Sequence, residues 1–163
     1  MSEKLPANAV VVESALREVG AQGEIVVLPE KAPTAATAAA QLGCEVGAIA
    51  NSLLFEARSA EGGSAPVLIL TSGAHRVDVA LTAERIGVAK LKRAAAEFVR
   101  EHTGQVIGGV SPLGHPTPLR TYLDSWLQRY PVVWAAAGHP AAVFATTYDE
   151  LLALTGAVPL DVE

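Results

Sequence analysis

Gly108-Gly109-Val110-Ser111-Pro112-Leu113-Gly114-His115 is the stretch on which the reading of this chain turns. Three glycines and a proline interrupt a run that otherwise has strand character. Glycine adopts backbone conformations closed to other residues and lets a ligand come close to the main chain. Proline fixes φ and stiffens the bend. A Gly/Pro cluster is ordinarily a structural turn between two strands. The length of this one, its lack of charge and the residues upstream of it make it a candidate binding loop.

Working outward, length and composition set the bounds. A chain of 163 residues is read as one domain, 1–163, large enough for a real core. It is 50% hydrophobic and 18% charged, the pattern of a globular chain. Aromatics are few, so the core must be aliphatic. No apolar run reaches the roughly 20 residues needed to cross a bilayer. Met1 to Pro6 lack the apolar segment of a signal peptide, and a cytoplasmic location is expected. The lone Cys44 excludes an internal disulfide and a cysteine-based metal cluster. A net charge of −5 argues against a broad grip on nucleic acid. Lys90, Lys92, Arg93 and Arg100 are the best local basic group, although such a group is usually plain solvated surface. Any nucleic-acid contact is therefore expected to be small, such as one chain end.

Periodicity and punctuation predict interleaved helices and strands. Asn8 is placed as the cap of a helix through Val19, with Val12, Leu16 and Val19 inward and Gly20 as its stop. Glu24–Leu28 is a short strand. Pro33 and Thr34 open a second helix, closed by Gly43. Val46–Ala50 is a helical turn. Ser52–Ala57 is a buried strand, Glu61-Gly62-Gly63-Ser64 a flexible hairpin-like loop, and Pro66–Thr71 the next strand, a continuous Val-Leu-Ile-Leu run. Asp78 caps a helix ended by Gly87, and Val88–Lys92 is extended. Ala94–His102 is helical with Phe98 inward, ended by Gly104. Val106-Ile107 leads into the glycine loop. Leu119–Leu123, Val132–Ala136 and Ala141–Ala145 are extended. Thr147 caps a last helix that carries Asp149 and Glu150 in its first turn, where the helix dipole favours them, and Gly156 closes it. Strands this close allow antiparallel pairing, so the fold class is mixed α/β: a mixed sheet flanked by helices.

Side-chain chemistry is sparse. There is no phosphate-binding Walker loop, no Gly-x-Gly-x-x-Gly after a strand and no His-Glu-x-x-His. His75, His102, His115 and His139 lack metal-ligand spacing, and no cofactor is implied. Ser72 is outside any Gly-x-Ser-x-Gly elbow. His75 and Asp78 are near each other in sequence without an assignable nucleophile. Cys44 reads as a small buried apolar residue. Trp126 and Trp134 read as core or pocket wall.

The order of these segments resembles a known family. After the second helix come Gly43 and Ile49-Ala50-Asn51-Ser52-Leu53-Leu54-Phe55, then a strand and Ser72-Gly73. Glu97-Phe98-Val99, Thr103-Gly104, the Gly108–Gly114 loop, Gly138 and the Leu151-Leu152 helix follow. Together they are similar to the YbaK/ProX family, aminoacyl-tRNA deacylases related to the editing insertion of bacterial prolyl-tRNA synthetase. The resemblance runs from about Thr34 to the C-terminus, and Gly-Gly-x-Ser-Pro-x-Gly is its specific part.

The resemblance implies a curled mixed sheet surrounded by helices. It also implies hydrolysis of the ester that joins a wrong amino acid to tRNA, with tRNA(Pro) as the expected carrier and the acceptor end as the part bound. Main-chain N–H groups at Gly108 and Gly109 are then implied to hold the oxygen that becomes negative during attack. Ser52, Ser72, Ser111, Pro112, Gly114, His115 and Gly138 are implied to contact substrate. Two departures stand out. Many members carry lysine where this chain has Asn51, which offers only neutral hydrogen bonds. Ala136-Ala137-Gly138 stands where the Cys-tRNA deacylases have Ser-Gly-Gly. Three readings follow. The first is a deacylase in which Asn51 is catalytic beside the loop amides. The second is a binding module, weak or inactive, for an aminoacyl-adenosine group or a synthetase. The third is an unrelated hydrolase using Ser72 or Cys44. The acidic balance makes a synthetase or elongation factor the expected source of further tRNA affinity.

Overall fold

A computed structural model describes residues 5–32 and 34–163. Pro33, expected at the second helix start, lies outside the described residues. In chain order the elements are α1 (Ala7–Glu18), β1 (Ile25–Val27), α2 (Ala35–Leu42), β2 (Ile49–Arg58), β3 (Ser64–Ser72), α3 (Val79–Ile86), β4 (Lys90–Arg93) and α4 (Ala96–Thr103). Then come β5 (Arg120–Asp124), β6 (Val133–His139), β7 (Ala142–Thr146), α5 (Tyr148–Thr155) and β8 (Val158–Leu160). Single 3-10 turns cover Val46–Ala48 and Ser125–Arg129.

Local chemistry accounts for most of the boundaries. Thr34 caps α2 with a reciprocal box: its hydroxyl accepts the Thr37 N–H at 3.2 Å and the Thr37 hydroxyl accepts the Thr34 N–H at 3.2 Å. Asp78 and Thr147 cap α3 and α5 in the same sense. Gly43, Gly87, Gly104 and Gly156 end α2 to α5 in the left-handed region. Asn8 does not cap α1. Pro6 occupies that position, with φ −55°, and α1 begins at Ala7 without a side-chain cap. Val19 is also not inward: it is exposed, while Ala9, Val12 and Leu16 are buried. In α4 the buried position is Val99, and Phe98 is half-buried against the His102 ring.

The described strands form one mixed sheet of eight, ordered β1-β7-β6-β2-β3-β5-β8, with β4 paired to β2 off that path. Val67 and Ile69 pack with Phe55, Ile86 and Tyr122 on one face. Leu68 and Leu70 pack with Val12, Phe144 and Leu151 on the other. Both faces of β3 are therefore covered, which is why its sequence is continuously apolar rather than alternating. A third cluster joins α2 to Ile49 and Val143. The strand β8, made of Val158, Pro159 and Leu160, pairs in parallel with β5 and carries no apolar pattern that marks it in the sequence. Val106-Ile107 leads into the glycine loop with both side chains exposed, and the chain from Gly104 to Leu119 is one irregular loop.

The pairing of β2 positions the site. Its first edge pairs with β3 along the whole length from Ala50 to Arg58. On its second edge, β6 pairs only with Ile49 and Ala50, and β4 only with Phe55 to Arg58. Asn51 to Leu54 have no strand partner there. The sheet is open beside them.

Candidate functional site: an opening in the sheet

The opening leads into a cavity of about 600 Å³. Asn51 and Ser52 both line it, although adjacent strand residues point to opposite faces. Both can do so because the sheet is interrupted at their side. Ser52 shares a face with Ala50 and Leu54, next to Val99 and Val110. Asn51 shares the other with Leu53 and Phe55, on the side of Val77. The cavity draws lining from both sets.

Main-chain groups add to it. The Ala94 N–H donates to the Leu54 carbonyl at 3.1 Å and that of Ala89 to the Arg58 carbonyl at 2.9 Å, whereas the Gly73 N–H donates to the Ile49 carbonyl at 2.8 Å on the opposite edge. By that alternation the N–H and C=O of Ser52 point into the opening. The Ser52 hydroxyl is buried without a hydrogen-bond partner among the described residues. A buried polar atom of this kind is costly unless something meets it. The Asn51 amide makes no hydrogen bond to any described residue and is half-buried at the cavity wall.

The glycine loop reaches the cavity through Ile107, Gly108 and Val110. Gly108 has φ 91°, a conformation that favours glycine. Gly109 does not line the cavity, and its N–H already donates to the Val106 carbonyl at 3.1 Å. Its role is close approach: a Cβ there would sit 2.7 Å from the His139 carbonyl carbon and 2.8 Å from the Pro140 nitrogen. Pro140 in turn lines the cavity.

The other expected contacts are held elsewhere. Ser111 is fully buried; its N–H donates to the Gln105 Oε1 at 2.8 Å and its hydroxyl meets Gln105 Nε2 at 3.0 Å. His115 Nε2 donates to the Ser111 carbonyl at 2.9 Å, and burial pushes the imidazole below its usual range. Pro112 is buried beside them. Gly114 packs against Val12 and Ala15 of α1, and Gly138 against the Asn8 carbonyl, so both let α1 lie close. Gly138 also belongs to the register shift in β6 between Ala136 and His139. Ser72 is fully buried: its hydroxyl donates to the Gly47 carbonyl at 2.7 Å and accepts the Ala74 N–H at 3.2 Å. None of Ser72, Ser111, Pro112, Gly114, His115 or Gly138 lines the cavity. Cys44 does not either, and burial raises its thiol pKa, which disfavours the thiolate.

Two features had no signal in the sequence. Gln105 organises the loop from six residues away. His75 lines the cavity and pairs not with Asp78 but with Asp124, Nδ1 to Oδ2 at 2.8 Å. Asp124 is buried and also accepts the N–H groups of Ser72 and Trp126, both at 3.0 Å. The Trp126 ring lies against His75 in a tilted contact, centroids 4.7 Å apart, while Trp134 forms part of the cavity wall. Among the described residues no three His, Cys, Asp or Glu side chains are grouped to hold a metal ion. No helix of the described residues is long and apolar enough to cross a membrane.

The mixed sheet flanked by helices is an architecture shared with YbaK/ProX-like editing proteins. A model of the aminoacyl-tRNA editing domain matches residues 29–154, and the chain belongs to that family. At the level of the family this means action on the ester of aminoacyl-tRNA. A crystal structure named "a putative trans-editing enzyme for prolyl tRNA synthetase" is similar to it at 44% identity and TM-score 0.88, covering 98% of this chain and 99% of the other. A structure of protein APE2540 is 28% identical at TM-score 0.82, covering 93% and 98%. "Uncharacterized protein YwhH" of Bacillus subtilis (strain 168) is 28% identical over 130 residues, 80% of each chain.

Proposed function

We propose that this chain is a trans-editing deacylase that hydrolyses a mischarged aminoacyl-tRNA(Pro), with the aminoacyl-adenosine end lodged in the sheet opening. The observation that carries the reading is that Asn51, Ser52 and Gly108 line one cavity, where the Asn51 amide and the Ser52 hydroxyl have no hydrogen-bond partner among the described residues. Water attacks the acyl carbon, the bond from that carbon to the ribose oxygen breaks, and the ribose hydroxyl and the free amino acid leave. The negative charge that grows on the carbonyl oxygen is met by N–H donors: the Gly108 amide on the loop side and the Ser52 amide or Asn51 Nδ2 on the strand side. Asn51 supplies an acceptor as well, through Oδ1, which a lysine would not.

The lining favours small or aliphatic amino acids and disfavours cationic ones. Ala35, Ala38, Ile49, Trp134 and Val143 form an apolar wall, and among the described residues no Asp or Glu lines the cavity to balance a cationic side chain. A synthetase or elongation factor remains the proposed source of affinity for the body of the tRNA, given the net charge of −5. The reaction belongs in the cytoplasm, where tRNA is charged.

The test is a panel of Ala-, Ser- and Cys-tRNA(Pro) incubated with the purified full chain. Release of one amino acid well above the uncatalysed rate, lost in Asn51→Ala, supports the reading. No release at high enzyme favours the second reading, a binding module, which the neutral Asn51 motivates. Asn51→Lys separates the two: creation of activity from none means that the natural chain has left catalysis, and loss of existing activity means that asparagine is fitted to its substrate.

A further inference from the structure

The chain is acidic overall, but its cavity is not. The ionisable side chains that line the cavity are His75, Arg76 and Arg93, with no carboxylate among them. His75 is already matched, by Asp124 at 2.8 Å and by Glu163 Oε1 at 3.5 Å. The two guanidinium groups are different. Neither Arg76 nor Arg93 makes a salt bridge with a described residue. Glu163 takes the main-chain N–H of Arg76 at 3.1 Å and faces His75, which leaves the Arg76 side chain to the cavity. Arg93 stands across from Phe55 at the first residue pair beyond the opening, its guanidinium 5.8 Å from the Phe55 ring centroid. Glu56, the nearest carboxylate along β2, is taken by Lys92 at 3.1 Å. Arg93 also borders a second concavity with Glu56, Glu97 and Glu101, yet none of these pairs with it.

Two exposed arginines without a salt-bridge partner among the described residues stand on the wall of one cavity, and guanidinium groups are suited to bind an anion. We propose that Arg76 and Arg93 receive the phosphate on the 5′ side of the nucleoside bound in the cavity, so that the chain recognises a nucleotide rather than a bare nucleoside ester. This rests on the deacylase reading for its ligand. It assigns the positive charge that Asn51 does not supply to the ends of β4 and of the β3–α3 connection. The role is one of positioning, outside the reacting atoms.

The experiment measures binding of AMP, adenosine and inorganic phosphate to the full chain by calorimetry at low and moderate salt. AMP is expected to bind roughly tenfold more tightly than adenosine at low salt, the scale of a charge-assisted contact. That preference is expected to shrink with added salt. Arg76→Gln and Arg93→Gln should each reduce the preference while leaving adenosine affinity and the melting temperature unchanged. In deacylation they should raise KM for aminoacyl-tRNA with kcat retained. Equal binding of AMP and adenosine, or no detectable binding of AMP at millimolar concentration, overturns the proposal. So does a preference that survives both substitutions, or inorganic phosphate binding as tightly as AMP, which would mean a free-anion site. Failure of the deacylase reading looks different: no hydrolysis of any aminoacyl-tRNA, with the AMP preference intact.

Discussion

The glycine loop and the middle of β2 make opposite use of their polar groups. In the loop they are spent internally. Gln105 holds the Ser111 amide and hydroxyl, His115 holds the Ser111 carbonyl, and the Gly109 amide closes a turn on Val106. In β2, the Ser52 hydroxyl and the Asn51 amide have no partner among the described residues, and the strand edge beside them is open. The loop is therefore largely scaffold, reaching the cavity with Gly108, whereas the strand presents the free groups. A segment rich in glycine is conspicuous in sequence because unusual backbone needs unusual residues. A segment that binds through vacant valences is not.

That contrast can be attacked from both sides, beginning with the largest effect. Gly109→Val should be severe, because the new side chain meets the His139 and Pro140 backbone, which cannot swing away. A loss of about 2 kcal/mol or more is expected from such overpacking. It should appear as a large fall in melting temperature together with loss of deacylation. Gln105→Ala comes next. It strands the buried Ser111 N–H, at about 1–3 kcal/mol for the unpaired group, while the Ser111 hydroxyl keeps the Leu113 carbonyl. Thermal melts should show that loss, and Gln105→Glu should recover part of it if the accepting oxygen is what counts.

Asn51→Ala tests the other region. Stability should move by less than about 0.5 kcal/mol, as for a substitution that breaks no contact. Deacylation should drop about tenfold, the loss of one well-placed hydrogen bond. Equal losses of stability and activity would mean that the strand is scaffold too. A pH series separates the regions further. His115 is half-buried in the fold, and that burial holds its pKa below the ordinary 6.5 of the imidazole. The folded state therefore binds fewer protons than the unfolded state, and stability contributed here is present above that ordinary pKa and lost as pH falls below it. Melting temperature should decline on acidification through this window, and His115→Gln should flatten the decline. The smallest effect belongs to Ser52→Ala. Removing a buried, unpartnered hydroxyl should leave stability unchanged or raise it by up to about 1 kcal/mol, while ligand binding weakens.

Much of the secondary structure was legible because its signals are local. Thr34, Asp78 and Thr147 cap helices, and Gly43, Gly87, Gly104 and Gly156 end them, through groups within one turn. The continuous Val67–Leu70 run announced a strand, and the structure covers both of its faces. Pro6 in place of Asn8 at the start of α1 and the existence of β8 were not legible. Each depends on what packs alongside rather than on the segment itself. Among the site residues, Asn51, Ser52 and Gly108 came from the sequence and do meet at the cavity. The Asp124 partner of His75 lies 49 residues from it, and only the sheet brings the two together.

By itself the sequence determined an aliphatic mixed fold, its helix ends and a family resemblance carried by one glycine-rich bend, because those properties are written in neighbouring residues. Only the tertiary structure decided that β6 and β4 stop short of each other along β2. Pairing between strands far apart in the chain is set by packing across the whole sheet, and the resulting gap is what leaves Asn51 and Ser52 with hydrogen bonds to give.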